Sequence, residues 1–133
     1  MTLLLDTHVW IWSQEEPAVL HSRARKAIDD RSNDCAVSVI SEMEIARLAV
    51  RNKITLGVSV EEWIQRTITV LGASEIEVGR AIAMEAYRLP GEFHKDPADR
   101  ILVATARIHG MTLVSADERL LRYRHVNSIS ARR

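Results

Sequence analysis

The sequence predicts an α/β fold: a three-layer sandwich with helices on both faces of a central, mostly parallel sheet. Three observations carry that prediction. The run Leu3-Leu4-Leu5 is apolar without polar alternation, as a strand buried on both faces is, and Cys35-Ala36-Val37 and Met111 to Val114 read as further strands. Segments of helical period separate them, and strands alternating with helices pair in parallel. The chain has 133 residues, enough to bury roughly two-thirds of its unfolded surface around one core. It carries no repeat, linker or low-complexity stretch, so residues 1–133 are expected to form a single domain.

Each element has its own signal. Asp6 ends the first strand, and Val9-Trp10-Ile11-Trp12 opens a short apolar helix that Gln14-Glu15-Glu16-Pro17 stops. Ser22 to Asp30 reads as a basic-surfaced helix with Ala24, Ala27 and Ile28 inward. Arg31 to Asp34 is a turn, and Cys35 to Val37 the second strand. Ser38 or Ser41 caps the next helix, which runs to about Arg51 and is expected to bury Val39, Met43, Ala46 and Val50. Ser59 and Glu62 form a capping box ahead of Trp63 and Ile64, and Gly72 ends that helix. Ser74-Glu75-Ile76 is a weak strand candidate, and Val78 to Arg88 is alanine-rich and helical until Leu89-Pro90-Gly91. The clearest helix opens at Asp96-Pro97 and closes at Gly110, an acidic cap, an N-terminal proline and a terminal glycine. Met111 to Val114 is a strand, Ser115-Ala116-Asp117 leads into a short helix, and Val126 to Ile129 is expected at the sheet edge.

Composition narrows the function classes. Lone Cys35 excludes an internal disulfide and a thiolate zinc cluster, and reads as a small core residue. No segment is long and apolar enough to span a membrane, and the N-terminus lacks the basic start and cleavage site of a signal peptide, so a cytoplasmic protein is expected. Basic and acidic side chains balance at 18 each, whereas nucleic-acid binders usually carry a basic surplus. If four acids gather in one site, 14 remain against 18 bases elsewhere, so the balance does not exclude a polyanionic substrate.

Four carboxylates stand out by position. Asp6 follows the first strand, Glu44 lies in the helix after the second, Asp99 sits in the first turn of the capped helix, and Asp117 follows the Met111–Val114 strand. In a parallel sheet all four project from the carboxyl edge, where open α/β sheets bind ligands. Each also has a structural alternative. Asp6 and Asp117 could cap the helices that follow them. Glu44 could close a capping box with Ser41 or pair with Arg47 or Arg51, and Asp99 could simply favour the positive end of its helix. Taken together, four like charges at one edge repel and call for a cation. Oxygen donors with no thiolate and no spaced histidine pair suit Mg²⁺ or Mn²⁺ better than zinc. His8 and His94 are near these acids in sequence and read as surface or supporting residues; Trp10, Trp12 and Trp63 read as core or subunit-contact residues.

Read together, Leu3-Leu4-Leu5-Asp6-Thr7-His8, Ser38 to Ala46, Asp96-Pro97-Ala98-Asp99-Arg100-Ile101-Leu102-Val103-Ala104-Thr105-Ala106 and Leu113-Val114-Ser115-Ala116-Asp117 resemble the successive motifs of PIN-domain proteins. The compact single-domain form is similar to the VapC-type toxins of bacterial toxin–antitoxin pairs. The match runs in order along essentially the whole chain, and the family's acidic residues fall on Asp6, Glu44, Asp99 and Asp117. Met43 stands where this subgroup often has tryptophan, and Ser115 where threonine is common; serine keeps the hydroxyl. The resemblance implies a Mg²⁺-dependent endoribonuclease, often dimeric, silenced by a cognate antitoxin.

Phosphodiester hydrolysis needs an activated water and stabilisation of developing charge, which a carboxylate-held divalent ion supplies. Asp6 and Asp99 are the expected primary ligands, with Asp117 a further one, direct or through water. Glu44 is expected to orient or deprotonate the water. Thr7 and Ser115 are candidates to position Asp117 or a water, and Asp96 to cap the helix that carries Asp99. Arg100, Arg119 and Arg122 are the candidate RNA-phosphate contacts. Two other classes compete. A phosphoacceptor receiver domain would have an adjacent acidic pair after an early strand and a late lysine; Leu5 and Thr7 flank Asp6, and no lysine follows Lys95. An inactive PIN-like RNA- or protein-binding module would have lost at least one of the four acids, and all are present.

Overall fold

The computed structural model describes every residue from Met1 to Arg133. Five strands, β1 (Thr2–Leu5), β2 (Asp34–Ser38), β3 (Ser74–Ile76), β4 (Thr112–Ser115) and β5 (Ser128–Ser130), form one sheet in the order β3-β2-β1-β4-β5. Every pairing is parallel; Leu4, for instance, lies between Ala36 of β2 and Leu113 of β4. Seven helices cover the two faces: α1 (Thr7–Glu15), α2 (Ser22–Asp29), α3 (Val39–Val50), α4 (Val60–Leu71), α5 (Arg80–Glu85), α6 (Pro97–His109) and α7 (Glu118–Leu121). The expected three-layer α/β sandwich is the observed one. No helix is long and apolar enough to cross a membrane.

The leucine run explains why β1 is central. Side chains alternate across a strand, so Leu3 and Leu5 face one helical layer and Leu4 the other. Leu3 and Leu5 pack with Val9, Trp10, Ile45 and Trp63, while Leu4 packs with Leu102, Val103, Ala106 and Leu113. All three leucines are fully buried, each burial contributing about 1.5–3 kcal/mol. Trp10 and Trp63 stack at 5.6 Å between centroids, and the Trp10 indole N–H donates to Thr67 Oγ1 at 2.9 Å. Those two tryptophans are core residues, and Trp12 is half-buried against them.

The caps follow the sequence closely. Asp96 accepts from the Ala98 N–H at 3.0 Å ahead of Pro97, and Gly110 closes α6 in the left-handed region at φ 64°. Ser59 accepts from the Glu62 N–H at 3.1 Å, but the Glu62 side chain turns to Arg66 at 2.8 Å, so the box closes on one side only. Ser38, not Ser41, caps α3 by accepting from the Ile40 N–H.

The burial of α3 departs from expectation. Its inward face is Ser41, Ile45 and, in part, Leu48, whereas Met43 is 62% and Val50 82% exposed and Val39 is also exposed. Ala46 is half-buried. Apolar residues occupy both sides of this helix, so helical period alone could not say which stripe faces the sheet. The edge strand β5 begins two residues later than Val126, and α5 is shorter than the alanine-rich run.

Topology places the site. After β1 the chain enters α1, whose Val9 and Trp10 join one face's core; after β4 it enters α7, whose Leu120 joins the other. Strand order therefore reverses between β1 and β4. The two connections diverge there and leave a crevice at the strands' carboxyl ends.

Candidate active site

Asp6 and Asp117 stand on either side of that crevice, and Ser115 joins them. The Ser115 hydroxyl donates to Asp6 Oδ2 at 2.7 Å and accepts from the Asp117 N–H at 2.9 Å. Asp6 also accepts the Thr7 N–H at 2.7 Å, as the cap of α1. Asp117 likewise caps α7, accepting from the Arg119 N–H at 2.8 Å. For both aspartates, capping and site geometry coexist, because a short side chain at the first turn of a helix lies at the strand's carboxyl edge.

Glu44 reaches the same edge from α3. The Thr7 hydroxyl donates to Glu44 Oε1 at 2.8 Å and lies 3.0 Å from the Ser41 hydroxyl. Glu44 forms no ion pair with Arg47 or Arg51. Thr7 thus positions Glu44, rather than Asp117 as one expectation had it. Asp99 comes from the first turn of α6 and is only 7% exposed.

Electrostatics tie the four together. Burial raises the Asp99 carboxyl to about 7, and the charges of Asp96, Asp6, Asp117 and Glu44 add to the rise. Burial also raises Asp6 and Glu44, against the lowering effect of the Ser115 and Thr7 hydrogen bonds. Asp117 moves the other way, because the Arg119 guanidinium holds it through bonds of 3.0 and 3.3 Å. Arg119 Nη2 also lies 3.8 Å from Asp99 Oδ2, yet the arginine side chain is 58% exposed. It is an exposed cation beside the acids, anchored on Asp117.

No three acidic, histidine or cysteine side chains converge on one point as they stand. The donor set nevertheless fits a hard divalent cation: carboxylate oxygens at the ends of α1, α6 and α7 and from α3, burial and like charges that raise Asp99, and an exposed arginine as counter-charge.

The other expected residues are placed as follows. Asp96 is an exposed cap. Arg100 is committed inward, donating to the carbonyls of His94, Ala86 and Phe93 at 2.9–3.0 Å, and so ties the loop before α6 to α5 instead of facing the crevice. Arg122 is exposed and paired with Glu118 at 2.9 Å. Two residues near the acids were underweighted in the sequence. His94 Nε2 comes within 3.1 Å of Asp99 Oδ2, outside hydrogen-bond alignment, and both ring nitrogens are buried without a partner. Burial lowers its ring below the usual imidazole range. Ser41 is the second, one helical turn before Glu44, a spacing that puts both on one face.

Comparison with known proteins follows the same lines. The PIN domain model matches residues 3–126. The chain is 37% identical over 129 residues to ribonuclease VapC22 of Mycobacterium tuberculosis, covering 97% of each. Its fold is similar to that in VapBC2 from Rickettsia felis bound to a promoter DNA fragment (TM-score 0.72, 14% identity, 98% of each chain). It is also similar to DNA-bound VapBC from Salmonella typhimurium (TM-score 0.67, 18% identity, 98% of each chain). A family model spanning nearly the whole chain, meeting an all-parallel sheet with acidic side chains along its carboxyl edge, leaves one assignment: the chain belongs to the PIN-domain family.

Proposed function

We propose that this protein is a Mg²⁺-dependent endoribonuclease, the toxin of a toxin–antitoxin pair, hydrolysing RNA phosphodiester bonds in the cytoplasm. The observation that carries the reading is the carboxylate crevice between β1 and β4 in a chain 37% identical to a ribonuclease along almost its full length. Asp6 and Asp99 would hold the ion, with Asp117 a further ligand; Mn²⁺ would substitute. When bound, such an ion supplies charge stabilisation at the phosphate and lowers the pKa of a bound water.

The chain's own residues supply the rest. Glu44 takes up the water proton: burial raises its carboxyl, which strengthens it as a base, and Thr7 fixes its orientation. Ser115 locks Asp6 and Asp117 in register. Arg119 leaves the carboxylates for a substrate phosphate, with Arg122 beside it; Arg100, engaged by backbone carbonyls, has no such role.

Two partners follow. An acidic crevice closed by one exposed arginine is a target for a guanidinium, so the antitoxin would place an Arg or Lys against Asp6 and Asp99. Val39, Met43 and Val50 are exposed on α3 with half-buried Ala46 between them, spaced at four, three and four residues as on a helix facing another helix, which supports a homodimer. The central test is RNA cleavage by the purified protein with Mg²⁺ or Mn²⁺ and its arrest by EDTA. Cleavage that survives exhaustive chelation would overturn the metal assignment.

A further inference from the structure

A second groove lies against the crevice, with the opposite charge. It runs between α1 and the end of α3, encloses about 450 Å³, and has Ile11, Leu48 and Ile54 in its floor. The Trp12 ring forms one wall, with the His8 imidazole 5.6 Å away at a 48° tilt. Arg47, Arg51 and Lys53 line the rim, all exposed, and none enters an ion pair or a side-chain hydrogen bond. Glu16 is the only acid lining it. The groove begins where the carboxylates end: His8 follows Thr7, Arg47 is one turn beyond Glu44, and the Thr7–Glu44 hydrogen bond ties the two helices at that end.

Cations and an aromatic face together suit one kind of occupant. Single-stranded nucleic acid presents phosphates to the first and a base to the second, largely irrespective of sequence. A basic peptide has the wrong sign here: a partner that neutralises the carboxylates carries positive charge, which three unpaired cations repel. A polyanion has the converse need. With one phosphate at the carboxylates, its neighbours require positive charge close by. We infer that the groove between α1 and α3 is a subsite for an unpaired ribonucleotide flanking the scissile phosphate, its base against Trp12 and its phosphates on Arg47, Arg51 and Lys53. The inference rests on the ribonuclease reading and adds to it the place on this chain where the nucleotide beside the cut is held.

The test is fluorescence anisotropy of the full-length protein with a labelled ten-nucleotide oligouridylate and with a duplex of equal length, in EDTA so that nothing is cut. The wild type should prefer the single strand. Arg51→Ala with Lys53→Ala, both on the surface, should lower the salt-dependence slope by about 1.4, roughly 0.7 for each lost phosphate contact. A matched control, Arg23→Ala with Lys26→Ala on exposed positions of α2, should leave the slope unchanged. Trp12→Ala should weaken binding roughly fivefold to 150-fold, the range for one base–aromatic stack. Because Trp12 also packs against the core, Trp12→Phe should recover part of that loss if stacking is responsible. Equal slopes for the groove and control pairs would overturn the subsite and leave the ribonuclease intact. Loss of antitoxin affinity with unchanged RNA binding would instead make the groove a protein-docking surface. Failure of the metal-free wild type to bind either RNA would overturn the subsite, while the ribonuclease reading stands or falls on the Mg²⁺-dependent cleavage assay.

Discussion

At the residue scale, two aspartates three positions apart on α6 do opposite things. Asp96 is exposed and caps the helix, so Asp96→Ala should lower stability by about 0.5–2 kcal/mol while leaving much of the cleavage activity. Asp99 is buried among like charges, so Asp99→Asn removes a repulsion that the fold tolerates. It should abolish RNA cleavage, leave metal-free stability unchanged or raised, and flatten the stabilisation Mg²⁺ gives the wild type. Thermal melts with and without metal, beside an RNA assay, check both. An active Asp99→Asn that merely melts earlier would return Asp99 to a capping role. The sequence could separate these two because Pro97 marks the helix start. It could not show that Arg100 is engaged, since its partners are backbone carbonyls of Ala86, Phe93 and His94, and carbonyls carry no residue signature.

At the element scale, legibility depended on how many faces of an element are apolar. β1 is buried on both faces and reads as a plain leucine run; α6 has an acid, a proline and a glycine at its ends and is placed to the residue. In contrast α3 has two apolar stripes, and only packing decides between them. Ile45 meets Leu3, Val9 and Trp10, which leaves Met43 and Val50 outside. The position of Glu44 was still readable, because it depends on the helix starting at Ser38 and not on which stripe is buried. The exposed stripe gives the homodimer its test. Met43→Glu should halve the molar mass in light scattering, with monomer stability changed by no more than about 0.5 kcal/mol at so exposed a site. A wild type that is already monomeric, or a variant that stays dimeric, would rule this stripe out as the interface.

For the whole molecule, the carboxyl edge of the sheet is a store of unfavourable charge that the rest of the fold must hold. Two groups dominate: Asp99, raised to about 7, and Glu42, raised to about 8 by burial and by the neighbouring Glu75 across α3 and β3. Glu42 also keeps one buried carboxylate oxygen without a partner. In both cases the folded state holds a proton that the unfolded chain releases near pH 4. Folding is therefore favoured by these groups below their unfolded pKa values, and that contribution is lost as pH rises through about 7 for Asp99 and about 8 for Glu42. Asp117, lowered by Arg119, works in the opposite sense but at more acidic pH, where its stabilisation is lost as the carboxyl protonates. In EDTA the melting temperature should fall between about pH 5 and pH 8. Asp99→Asn should remove the part of the fall that ends near pH 7, Glu42→Gln the part that continues to about pH 8, and the two should add, since they stand at separate places on the edge. Saturating Mg²⁺ should flatten only the Asp99 part, because an ion there favours the ionised carboxylate while Glu42 and Glu75 stay as they are. A melting temperature that rises steadily across this range without metal would show that the acids are not held as the crevice implies. A Mg²⁺ effect that survives Asp99→Asn but vanishes in Glu42→Gln would move the ion from the crevice to the α3–β3 pair.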